Sequence, residues 1–99
     1  MKNRTIKILG YEYSLHFSPP VPEGGMSEAG RACIGKQVII IDPLQCKQAQ
    51  ESSVLHEMIE ALNYHLDLKL QHETIMQLEA GLYQCLKDNG VDLSSLVKG

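Results

Sequence analysis

The stretch SSVLHEMIE, residues 52–60, places His56 and Glu57 side by side and Glu60 four positions after His56. On a helix, residues at i and i+4 stand one above the other and can grip the same ion. The residue after the first ligand is swung to one flank, where it reaches a water on the ion rather than the ion itself. His-Glu-x-x-His helices divide the labour this way: two ligands and one general base. Here Glu60 stands where a second histidine would stand. Stepping about 100° per residue, Asn63 joins His56 and Glu60 on one side, Glu57 lies at its flank, and His65 comes out opposite. The same letters also fit a solvated polar strip, with His56 bonded to a backbone carbonyl.

The following helical stretch adds a second pair. Ile75, Leu78, Leu82 and Leu86 form its apolar stripe, Glu79 falls inside that stripe, and His72 falls beside it. A carboxylate on a core-facing stripe is costly without a partner. A metal ion, an arginine or a hydrogen-bond donor would serve, or the head group could reach water at the edge of the buried surface. Each of two consecutive helices thus carries a His/Glu pair, and the link between them is short enough to make them antiparallel neighbours.

The elements that must position these groups follow from pattern and punctuation. TIKILGYEYSLHF alternates as two strands broken at Leu9-Gly10, which predicts a hairpin. SPPVPEGG, residues 18–25, cannot continue a strand or a helix and predicts a loop able to frame a cleft. RACIGKQVIIID predicts a second hairpin turning near Gly35-Lys36. Its run Val38–Ile41 is expected to be packed on both faces or covered by a helix. Helices are expected over about 47–66 and 72–88, the second stopped by Asn89-Gly90. The apolar tail around Leu93, Leu96 and Val97 predicts a short docking turn. Strands first and helices after imply a single α+β domain over 1–99, two hairpins in a small antiparallel or mixed sheet followed by two long helices. Leu55, Met58, Ile59, Leu62 and Leu66 are the expected core face of the first helix.

Composition narrows the classes further. The 99 residues are 43% hydrophobic with a net charge of −3, and no run of Lys or Arg marks a nucleic-acid surface. No apolar stretch has the length of a membrane span, and the first residues lack the pattern of a secretion signal. Cys33, Cys46 and Cys85 are odd in number and widely spaced, as expected of reduced thiols in the cytoplasm.

The segments IIIDPLQCKQAQESSVLHEMIEALNYHL and LQHETIMQLEAGLYQCLKDN together resemble the small zincin-like metallopeptidases of phages, prophages and bacterial genomes, single-domain relatives of the ImmA/IrrE and SprT types. The resemblance spans roughly residues 38–90. It implies His56 as first zinc ligand, Glu57 as catalytic base, Glu60 in the second-ligand place and His72 as third ligand. Glu79 is the reserve ligand and Asn63 a residue that steadies a ligand. It further implies that the strand before the active helix, Val38–Asp42, lies along the cleft as an edge able to pair with an extended peptide. Glu60 departs from the family pattern. With His56, Glu60 and His72 the set is still two histidines and one carboxylate. With Glu79 instead of His72 the site is nearly neutral, which fits either another divalent metal or a poor catalyst.

The activity expected on these grounds is zinc-dependent attack of an activated water on a peptide bond, with Glu57 as general base and Tyr64 or Tyr83 near the developing oxyanion. The alternative is a weak or inactive member of the same fold that acts by binding a protein partner.

Overall fold

The computed structural model describes residues 3–19 and 30–97. Of the loop 18–25 only Ser18 and Pro19 are therefore described.

β1 (Asn3–Ile8) and β2 (Tyr11–Phe17) form an antiparallel hairpin whose last pair is Ile8 with Tyr11. Leu9 and Gly10 between them both take positive φ, 54° and 83°. A two-residue turn that follows the twist of its strands requires this, and glycine at the second position meets it without a Cβ clash. β3 (Gly30–Cys33) and β4 (Val38–Ile41) pair antiparallel across a 3₁₀ turn at Ile34–Lys36 and a left-handed Gln37. β4 also runs parallel to β2, aligning Leu15 with Ile39 and Phe17 with Ile41. The result is a four-stranded mixed sheet in the order β1-β2-β4-β3, followed by two helices: the α+β architecture expected.

One expectation is overturned. β4 is not an edge: it is paired on both sides, and β3 is the outer strand beside the helices. The reason is apolar content. Ile39 and Ile41 are fully buried and hold an interior position in the sheet, while the small residues Gly30 and Ala32 sit on the rim strand.

α1 (Lys47–Leu66) and α2 (His72–Asp88) have the expected bounds. The entry to α1 is tied by Gln50, whose amide donates to the carbonyls of Pro43 and Gln45. α1 packs on the sheet with one side and on α2 with another, whereas among the described elements α2 makes substantial contact with α1 alone. This layering widens the buried arc of α1 beyond a single stripe. Val54 and Ala61, absent from the expected face, are fully buried with Tyr13, Leu15, Ile39 and Ile41, while Leu66 is exposed. On α2 the buried line runs through Ile75, and Leu78 and Leu82 are 39% and 43% exposed because nothing described covers that flank. The tail docks as a 3₁₀ turn at Ser94–Leu96, with Leu93 buried and Leu96 and Val97 against the core. Among the described residues no helix is long and apolar enough to cross a membrane.

Candidate metal centre

α1 presents His56 and Glu60 on its side toward α2, and α2 opens with His72. The connection between the helices is short and reverses direction through two left-handed residues, Asp67 and Lys69. Asn63 holds this link. Its Oδ1 accepts from the Leu70 backbone N–H at 2.9 Å and its Nδ2 donates to the Leu70 carbonyl at 3.4 Å. Asn63 therefore acts on the backbone two residues ahead of His72, which sets where that imidazole emerges.

His56 Nε2 lies 3.4 Å from Glu60 Oε2, and His72 Nδ1 lies 3.7 Å from the same oxygen. The two rings meet edge to face with centroids 5.6 Å apart. One donor atom from each of the three residues falls within 4.8 Å of the other two, so the group could hold a metal ion. Ligand atoms about 2.0–2.1 Å from a tetrahedral zinc stand roughly 3.3 Å apart. The two pairs that share Glu60 are already near that spacing. His72 has the freedom to close the remaining edge, since its side chain is 68% exposed.

Behind His56 lies a second carboxylate. His56 Nδ1 is 2.7 Å from Glu79 Oε1, and the Ser52 hydroxyl donates to Glu79 Oε2. Glu79 thus engages the ring nitrogen that points away from Glu60 and His72. The stripe carboxylate has found hydrogen-bond partners, one of the solutions open to it. His65 is turned away from this group, as its wheel position requires. The Tyr13 hydroxyl and His65 Nε2 share a hydrogen bond at 2.6 Å, and Tyr11 stacks on the ring at 4.3 Å. Burial, with Tyr11 and Tyr64 nearby, pushes the Tyr13 phenol up, so it stays neutral.

Glu57 is 6% exposed and lines a cleft of about 480 Å³ together with His56, Glu60, His72, Tyr64 and the β3 residues Gly30 and Ala32. Gly30 leaves room for the carboxylate. A Cβ there would stand 3.0 Å from Ile41 Cδ1, 3.3 Å from the Ile40 carbonyl and 3.4 Å from Glu57 Oε2. Gly30→Ala is therefore expected to destabilise the fold by about 1–3 kcal/mol, as overpacking does, read as a lower urea midpoint at unchanged slope. A midpoint equal to wild type would show that the strand end yields freely.

Tyr64 lines the cleft, but Tyr83 does not. The Tyr83 hydroxyl donates to Glu51 Oε1 at 2.8 Å, and Lys87 Nζ stands 3.7 Å from the same oxygen. Glu51 is 3% exposed. Burial first, then the hydrogen bond to Glu51 and its charge, pushes the Tyr83 phenol up to about 12. These groups pin α2 to α1 one helical turn beyond the Glu79 contact.

Several of these roles had no expectation attached. Ser52 could have been found, because it precedes His56 by four and shares its side of the helix. Glu51 could not, because its partners come from α2. Gly30 is adjacent to Glu57 only through the sheet. The chain matches no protein-family model, no curated protein and no solved structure.

Proposed function

We propose that this protein is a small zinc-dependent hydrolase acting on peptide bonds, with His56, Glu60 and His72 as metal ligands and Glu57 as general base. The observation that carries the reading is the convergence of three donor atoms from two helices beside a buried carboxylate in one cleft. Two features support the fit of a cation. With its proton on Nδ1 toward Glu79, a neutral His56 imidazole turns the Nε2 lone pair toward Glu60. Two such acceptors 3.4 Å apart repel unless a cation lies between them. A proton would relieve that pair alone, whereas the approach of His72 Nδ1 to the same oxygen supplies the third ligand that a metal uses.

Zinc, when bound, supplies Lewis acidity toward water and toward a carbonyl oxygen. The chain does the rest. Glu57 takes the proton from the attacking water and is placed to return it to the leaving amine. Its seat beneath Gly30 keeps the carboxylate in reach of the cleft while shielding it from bulk water. Tyr64, at the cleft wall, is the hydroxyl available to the developing oxyanion. Two histidines and one carboxylate would leave a divalent ion one net positive charge, and the two imidazole donors favour zinc over the harder ions that prefer oxygen ligands. The substrate would be a peptide or unfolded protein segment. The odd number and wide spacing of the three cysteines suit a cytoplasmic site of action.

The test is thermal unfolding with and without zinc. Zinc at about a hundred times its Kd adds roughly 2.7 kcal/mol, which for a domain of this size raises Tm by about 10–20 °C. His56→Ala and Glu60→Ala should abolish the shift. A wild-type Tm that ignores zinc would sink the reading.

A further inference from the structure

We propose that Glu79 and Ser52 are positioning residues that lock His56 in the Nδ1–H tautomer and aim its Nε2 lone pair at the point shared with Glu60 and His72. The inference rests on the metal reading for its purpose, but its geometry stands independently. Glu79 comes from α2 and His56 from α1, so the contact reaches across the helix–helix seam. A carboxylate offers acceptors only. With Ser52 donating to Oε2, Oε1 accepts a hydrogen bond from Nδ1–H. The two oxygens are thereby satisfied by two different residues of α1, spaced four apart on one face. That fork prevents the carboxylate from rotating, and the fixed carboxylate prevents the imidazole from flipping. A flipped ring would turn a C–H toward Glu60 in place of Nε2.

The placement also explains why a carboxylate on the apolar stripe of α2 is tolerated. His56 and Glu79 side chains are 15% and 23% exposed, dry enough for the bond to hold its direction and wet enough to spare full desolvation. A partner of this kind orients a ligating histidine and strengthens it as a donor. It further assigns Glu79 a place outside the ligand set, because its oxygens lie at the opposite nitrogen.

Two measurements on the full chain test this. Long-range ¹H–¹⁵N correlation spectra of the zinc-free protein, with neutral imidazole, should show His56 as the Nδ1–H tautomer. In Glu79→Ala that preference should be lost. Zinc titration by calorimetry should then give a 10–100-fold weaker Kd for Glu79→Ala and a smaller loss for Ser52→Ala. Glu79→Gln keeps an acceptor for Nδ1–H and should recover most of the affinity, which a purely packing role would not distinguish. Should Glu79→Ala fold poorly, Ser52→Ala and Glu79→Gln carry the same comparison. A wild-type His56 in the Nε2–H form, or a Glu79→Ala protein that binds zinc as wild type does, overturns the proposal. A wild type that takes up no zinc yet shows the Nδ1–H tautomer removes the metal reading and leaves the positioning intact.

Discussion

Glu57→Gln is expected to lower peptide hydrolysis by about 10²–10⁴-fold, the usual contribution of a positioned general base, while leaving zinc uptake at wild-type affinity. The side chains are nearly the same size, so the seat beside Gly30 is preserved. The metal candidates His56, Glu60 and His72 keep their mutual distances, since Glu57 lies on the flank of α1 and outside their group. What changes is chemical: an amide cannot take the proton of an attacking water. The assay is turnover of quenched fluorescent peptides, with zinc stoichiometry measured on the same samples. Equal turnover in the two proteins would remove Glu57 from the mechanism. If neither protein hydrolyses peptides and both keep the same cellular effect, the protein works by binding a partner.

The largest effect on stability is expected at the other end of the helix–helix seam. Tyr83→Phe with Lys87→Met strips Glu51 of the hydroxyl at 2.8 Å and the ammonium at 3.7 Å. A buried carboxylate without partners costs about 3–5 kcal/mol, a large share of the roughly 5–15 kcal/mol available to a small domain. Adding Glu51→Leu should return most of the loss, because an apolar side chain of similar volume asks for no partner. Chemical denaturation of the three proteins checks both directions, and a double variant as stable as wild type would show Glu51 drawn out to solvent. The same cluster sets an alkaline limit. The Tyr83 phenol is pushed up to about 12 in the folded chain, against 10 when unfolded. Above pH 10 the unfolded chain gives up this proton first, so the contribution is whole below 10, falls between 10 and 12, and is gone beyond. Tyr83→Phe should flatten that part of the stability profile, while the raised Tyr13 phenol keeps a slope of the same sign.

Much of the architecture was legible because it is written in local terms. Leu9-Gly10 punctuates one hairpin, Gly35-Lys36 lies at the turn of the other, and Asn89-Gly90 ends α2; each is a backbone preference that neighbours alone express. The His56–Glu60 pair was legible for the same reason, since i and i+4 are neighbours on any helix. The order of strands was not. The continuous apolar run of β4 speaks for burial but not for which strands flank it, and only the parallel pairing of Ile39 with Leu15 placed it inside the sheet.

The site shows the same division. From its letters alone the chain determined two helices, their facing directions and a short link, and with these the set His56, Glu57, Glu60, His72 and Glu79. Periodicity governs which residues share a face, so that much needs no fold. The tertiary structure decided which atoms of that set meet: Glu60 between the two imidazoles, Glu79 behind His56 with Ser52, and Glu57 under Gly30. Those choices depend on the depth and rotation at which α2 settles on α1 and on how β3 borders the cleft. Both are set by the packing of Ile75, Val54 and Ala61 among residues distant in the chain, which no helical wheel contains.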